Sequence, residues 1–349
     1  MNSPISIDEF LKLSKKFPVI DVRSPAEFGH GHIPDANNIP LFDNEERAKI
    51  GTAYKQISKE EAVKIGYELA NPKIKTFIFQ VKEIADKHKA ETVLVHCWRG
   101  GMRSAKFAEL LNMHGYNTHT LVRGYKAYRN FVLESFNCNA AILIIGGETG
   151  SGKTEILQKI KQKGEQIVDL EKIAHHKGSA FGSLGEKPQP TYEQFENNIS
   201  SELNNLDLSK RIWIEDESRN IGRTQIPMVF WNKMKQAPIL RINVPKKLRI
   251  ERLVVDYGRF SKEELGNCIL KIQQRLGGQH VKHALEELEI GNLHEVADIS
   301  LTYYDKAYNF NHEKRNMEGV FMLECETADA STNAEKIIEF ANQKFKEEI

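Results

Sequence analysis

At 349 residues the chain is too long for one ordinary compact domain, and 40% hydrophobic with 28% charged side chains excludes a disordered or fibrous protein. Its 49 basic and 48 acidic residues nearly cancel, so net charge provides no electrostatic funnel toward nucleic acid, and any such contact must come from local patches. There is no apolar run of membrane-spanning length. The opening MNSPISIDEFLKLSKKF lacks the layout of a secretory signal, so a cytoplasmic location is expected. Cys97, Cys138, Cys268 and Cys325 are widely separated, which suits free thiols better than a metal knuckle or a disulfide framework.

In chain order, the short apolar runs FPVIDV, TVLVHC, AILIIGG, EQIVDLE, RIWIED and APILRINV read as buried strands of parallel sheets. Amphipathic stretches between them, such as SAKFAELLNMHGY, read as crossover helices, so the chain is predicted to be α/β. A domain boundary is expected near Phe136 to Asn139, giving domains 1–136 and 137–349, the second with a C-terminal helical part. The tail TNAEKIIEFANQKFKEEI reads as a terminal amphipathic helix with a solvated Lys/Glu face.

The first chemical motif is HCWRGGMRS. After a strand through Leu94 and Val95, the chain turns through Cys97, Trp98, Arg99, Gly100, Gly101 and Met102 before a helix begins at Arg103 and Ser104. Paired glycines let backbone N–H groups converge on the sulfur, and Arg99, Arg103 and the helix N-terminus favour a thiolate, so Cys97, Arg99 and Arg103 are the expected catalytic group. Upstream, DVRSPAEFGHGHIPDANNIP over residues 21–40 resembles the amino-terminal signature of the rhodanese (sulfurtransferase) family. Asp21, Arg23 and Glu27 within it read as a structural ion-pair group rather than a catalytic one. The spacing HC-x5-RS also fits cysteine-dependent phosphatases, with Arg103 as phosphate clamp, and leaves that alternative open.

The second motif, Gly147 to Thr154, matches G-x-x-x-x-G-K-[ST] between the strand AILII and a helical stretch. Gly147, Gly150, Ser151 and Gly152 would line a phosphate cradle, Lys153 would neutralise a terminal phosphate, and Thr154 would reach a magnesium ion. The strand RIWIED runs into Glu215, Asp216 and Glu217, where a metal-holding carboxylate or an acid/base is expected, with Arg219 and Arg223 lining the same cleft. HHKGSAFGSLG, residues 175–185, reads as a glycine-rich lid. The neighbours His175 and His176 point apart and carry no metal-ligand pattern. Lys247, Arg249, Arg252 and Arg259, with Tyr257 and Phe260, form a candidate basic strip for an RNA backbone.

The order of the two domains, with AFGSLG, QPTYEQFEN, EDESRNIG, RLGGQ and EERAKIGTAYKQ, resembles the tRNA 2-selenouridine synthase family over nearly the whole chain. Lys177 stands where that resemblance leads one to expect arginine. The resemblance implies an N-terminal rhodanese-like parallel sheet followed by a P-loop NTPase-like α/β domain. It implies modification of 2-thiouridine at the wobble position of a tRNA anticodon: the sulfur is geranylated from geranyl diphosphate and then displaced using selenophosphate. Cys97 would carry selenium or assist its delivery, and the P-loop would take geranyl diphosphate or selenophosphate, with Mg2+ as a candidate ion.

Overall fold

The computed structural model describes residues 3–312 and 319–345. Its apolar runs form two all-parallel five-stranded sheets, each belonging to a separate unit. Unit 1 is Met1–Ser135 with Glu196–Ser201, and unit 2 is Phe136–Phe195 with Glu202–Ile349. A cut drawn once along the chain cannot express the return of Glu196–Ser201 to unit 1. There Asn197 Nδ2 donates to His32 O at 2.9 Å and to Tyr125 Oη at 2.8 Å.

In unit 1 the strands β1 (Ser3–Ile5), β2 (Val19–Asp21), β3 (Asn37–Asn38), β4 (Thr92–His96) and β5 (Asn117–Leu121) lie in the order β1-β5-β4-β2-β3. The alternation of strand and crossover helix leaves Ile20, Val93, Val95, Phe77, Phe107 and Leu111 packed as the core on which the sheet rests. Central β4 therefore delivers His96 and Cys97 to the C-terminal edge of a parallel sheet, where α/β proteins place their ligands.

In unit 2 the strands β6 (Ile142–Gly147), β7 (Gln166–Val168), β8 (Ile212–Glu215), β11 (Ile239–Asn243) and β12 (Val320–Glu324) lie in the order β12-β11-β6-β8-β7. Between β8 and β11, β9 (Asn220–Ile221) and β10 (Thr224–Gln225) make a short antiparallel hairpin. β6 is central and buried at every position, so the P-loop grows out of the most tightly held strand. The C-terminal helices Lys262–Lys271, Gly278–Ile290 and Leu293–His312 bury a second apolar cluster around Ile269, Ala284, Leu288 and Val296. Among the described residues, no helix is long and apolar enough to cross a membrane.

Candidate active site

Cys97 follows β4 directly and is buried, 3% exposed, with the helix Met102–Met113 starting five residues later. Its loop rests on the turn at Arg123 and Gly124: Tyr125 N donates to Cys97 O at 2.8 Å and Lys126 N to Trp98 O at 3.0 Å. Gly124 has φ +56°, and a Cβ there would lie 2.2 Å from Cys97 O, so only glycine lets the two backbones meet this closely. Cys97 Sγ lies 3.2 Å from Ser104 Oγ, a hydroxyl on the first turn of the helix behind it. Ser104 Oγ also donates to Gly101 O at 3.2 Å, so the sulfur and this hydroxyl meet at the N-terminal turn of the helix. Arg99 is exposed on the loop. Arg103 is turned upstream, with Nη1 donating to Glu27 Oε2 at 3.0 Å, and Arg47 stands 3.7 Å from the same oxygen.

Asp21 and Arg23 form a fully buried pair beneath this loop. Arg23 Nη2 donates to Asp21 Oδ2 at 2.6 Å and to Gly31 O at 2.7 Å, and its guanidinium lies 3.8 Å from the Tyr125 ring centre. Burial disfavours the ionised Asp21, but His96 and the Arg23 fork outweigh it and hold the carboxyl below its ordinary range. His96 is buried and its pKa is lowered, by burial first and with Arg23 adding to it against the pull of Asp21. Removing one partner of such a pair strands the other, so Asp21→Asn should cost about 3–5 kcal/mol at neutral pH. Because the folded carboxyl titrates below its ordinary value of 3.8, its contribution is present above that value and is lost as pH falls through the folded one. Urea unfolding of both chains should show the gap at pH 7 and a smaller gap at about pH 3.

In unit 2 the P-loop spans the end of β6 and the start of the helix Lys153–Gln162. Lys153 Nζ donates to Gly147 O at 2.8 Å, and Ser151, 2% exposed, keeps a hydroxyl with no hydrogen-bond partner. Thr154 Oγ1 lies 3.0 Å from Glu171 Oε2 and 3.3 Å from Glu215 Oε2. Glu171, Glu215 and Glu217 each bring a carboxylate oxygen within 4.8 Å of the others. Burial first, then Glu171 and Glu217, push the Glu215 carboxyl well above its ordinary range. Burial and Glu171 do the same for Glu217, and burial raises Glu171 against the pull of Lys153 and Thr154. Glu215 Oε1 is buried without a partner, so the cluster has both the oxygens and the unmet charge that suit a hard divalent cation.

Of Glu215, Asp216 and Glu217, among which the sequence left the functional carboxylate open, the structure brings two together. Extended backbone sends alternate side chains to opposite faces, so Glu215 and Glu217 meet while Asp216 turns away, with Oδ2 3.4 Å from Tyr308 Oη. The third carboxylate is Glu171, on the short helix Leu170–Ala174 after β7. Its only sequence signal was its place at the end of the apolar run EQIVDLE. Gly178, in the glycine-rich stretch, closes on this cluster: a Cβ there would lie 2.7 Å from Glu217 Oε2.

Residues 140–339 match the family described as "tRNA 2-selenouridine synthase AAA domain", and residues 6–131 match "Rhodanese-like domain". A tRNA 2-selenouridine synthase of Bdellovibrio bacteriovorus is 33% identical over 356 residues, covering 88% of this chain and 92% of that one. One from Shewanella denitrificans is 32% identical, with 87% and 90% covered, and one from Nitrosomonas eutropha is 37% identical, with 74% and 68% covered. The chain belongs to the tRNA 2-selenouridine synthase family. Its fold is accordingly a rhodanese-like α/β domain followed by a P-loop-like AAA domain.

Within this family member, the basic strip expected along the helix Lys246–Tyr257 is not a surface feature at Arg249. Arg249 is 4% exposed: Nη1 donates to Thr149 O at 3.2 Å and to Asp305 Oδ1 at 2.8 Å, and Nη2 lies 2.9 Å from Glu148 Oε2. It braces the P-loop and is not placed to contact tRNA. Arg252 is turned the same way, pairing with Glu155 and donating to Ala328 O at 2.7 Å. The reason is helical periodicity, which turns positions 249 and 252 toward one face while Lys247 stays exposed. Arg259 is exposed and stacks over Phe260 at 5.0 Å. Arg223 is exposed on the β9–β10 turn, and Arg219 is partly buried before β9. Lys177 lies 3.8 Å from Glu186 and 6.0 Å from the Tyr257 ring centre.

Proposed function

We propose that the chain modifies tRNA, converting 2-thiouridine at the wobble position of the anticodon into 2-selenouridine in two stages. In the first, the 2-thio sulfur attacks the terminal carbon of geranyl diphosphate, the carbon–oxygen bond breaks, and diphosphate leaves. In the second, selenophosphate attacks C2 through selenium and geranylthiol leaves, in place of the poor leaving group that an unmodified thiocarbonyl offers; water then cleaves the phosphorus–selenium bond, releasing phosphate and leaving 2-selenouridine. The observation that carries this reading is the presence of a buried thiol cradle and a P-loop with a carboxylate cluster in one chain whose length aligns with relatives of that name.

The P-loop serves the first stage: its N–H groups and Lys153 take the diphosphate and neutralise the charge that grows on it as it leaves. Thr154, Glu171, Glu215 and Glu217 are the residues that would hold Mg2+, which would supply further charge neutralisation there. Cys97 serves the second stage, its thiolate assisting selenium delivery. Arg99, Arg223 and Arg259 are exposed and available to the tRNA backbone.

Incubating thiolated tRNA with geranyl diphosphate, selenophosphate and Mg2+ should yield 2-selenouridine on nucleoside mass spectrometry. Leaving out selenophosphate should stop the reaction at the geranylthio nucleoside, and chelation should slow that stage at least about tenfold. No modified nucleoside under any of these conditions would sink the reading, and turnover of a generic aryl phosphate would point instead to a phosphatase.

A further inference from the structure

Within unit 1, Glu27 holds two guanidiniums at unequal distance. Its Oε2 accepts from Ser24 N at 3.1 Å, closing the cap of its own helix Pro25–His30, and from Arg103 Nη1 at 3.0 Å, while Arg47 Nε stops at 3.7 Å. That last nitrogen is buried and has no hydrogen-bond partner, an unfavourable state for an N–H so near a carboxylate. Arg47 comes from the helix Asn44–Gln56, and Gly51, one turn further on, leaves space for it: a Cβ there would lie 2.9 Å from Arg47 Nη1. Glycine weakens a helix interior relative to alanine, so room for this guanidinium is kept at some loss of helix stability.

We infer that Arg103 works in two positions, on Glu27, where it now lies, and on a tetrahedral oxyanion brought to the Cys97 loop, and that Arg47 is the positioning residue that permits the exchange by taking over Glu27. The inference rests on the assignment of the second stage to Cys97 given above, which makes that oxyanion selenophosphate. The loop backbone is fixed: a Cβ at Gly100 would lie 2.5 Å from Leu121 O, and one at Gly124 2.2 Å from Cys97 O. The Arg103 side chain must therefore come to the anion. The helix Met102–Met113 begins at Gly101 without a side-chain cap, so its first N–H groups and Arg103 can share one ligand. A departing Arg103 on its own would leave the half-buried Glu27 carboxylate without a close cation, which opposes the move. Arg47 has only to close from 3.7 Å to hydrogen-bond distance to remove that opposition.

The test is steady-state selenation by the full chain, with geranylated tRNA supplied and selenophosphate varied, for the unaltered chain, Arg47→Gln, Arg47→Lys, Glu27→Gln and the double variant Glu27→Gln with Arg47→Gln. Glutamine at position 27 can still close the cap with Ser24, because a capping box accepts Glu or Gln there. Arg47→Gln should raise the KM for selenophosphate about tenfold, the loss falling on KM rather than kcat, because Arg103 is then held on Glu27. In the Glu27→Gln background the same substitution should move KM less than about twofold, since a neutral partner no longer retains Arg103. Arg47→Lys, which keeps a cation for Glu27, should recover most of the loss. A KM unmoved by Arg47→Gln, or raised equally in both backgrounds, would overturn the exchange. Should the Glu27 variants fail to fold, Arg47→Lys no better than Arg47→Gln would overturn it. No 2-selenouridine from the unaltered chain would instead sink the second-stage reading on which the inference rests.

Discussion

Cys97→Ser should abolish selenation while leaving geranylation of the same tRNA near its original rate. Loss of a nucleophilic thiolate costs on the order of 10^3-fold or more. The substitution is nearly isosteric at a buried site already beside Ser104 Oγ, so the loop and the Gly124 turn beneath it should persist. Quantifying geranylthio and seleno nucleosides from one digest, with and without selenophosphate, separates the stages. Equal loss of both products would refute the assignment of Cys97 to the second stage alone.

Lys153→Ala should do the opposite, lowering geranylation about 10^2- to 10^3-fold, the range seen when one pre-organised group facing developing charge is removed. Its ammonium is held at the mouth of the cradle by Gly147 O, 2.8 Å away, ready to turn to a phosphate. The variant should make little 2-selenouridine from thiolated tRNA yet regain it when given tRNA already geranylated. Failure of that rescue, with Cys97 intact, would move selenophosphate into the P-loop and overturn the division between the two sites. Lys153→Arg should not restore the rate, because a planar guanidinium does not fit a cradle shaped around a point charge.

Both chemical motifs were legible because each is contiguous. HCWRGGMRS and GETGSGKT carry glycines, a charge and a nucleophile or cation within one strand-to-helix turn, and that turn is local geometry. Six strands were equally plain, since β2, β4, β6, β7, β8 and β11 lie in apolar, largely buried runs. β5, with the sequence NTHTL, was missed because polar residues mask it: Thr118 is buried, its hydroxyl donating to Asn112 Oδ1 at 3.0 Å. β1 and β3 are too short to show a period, and β12 lies at the sheet edge beside β11.

What the sequence determined by itself was the α/β class and the order of a rhodanese-like and a P-loop-like domain. These depend on runs of neighbouring residues. The carboxylate partnership depended on packing. Glu171 stands 44 positions before Glu215, and it is the side-by-side pairing of β7 with β8 that brings their ends together. The same holds for Arg249, whose charge suggested a surface but whose partners, Glu148 and Asp305, come from other elements. Tertiary structure decided these points because a charge finds its role in the field of its neighbours, and those neighbours are chosen by the fold.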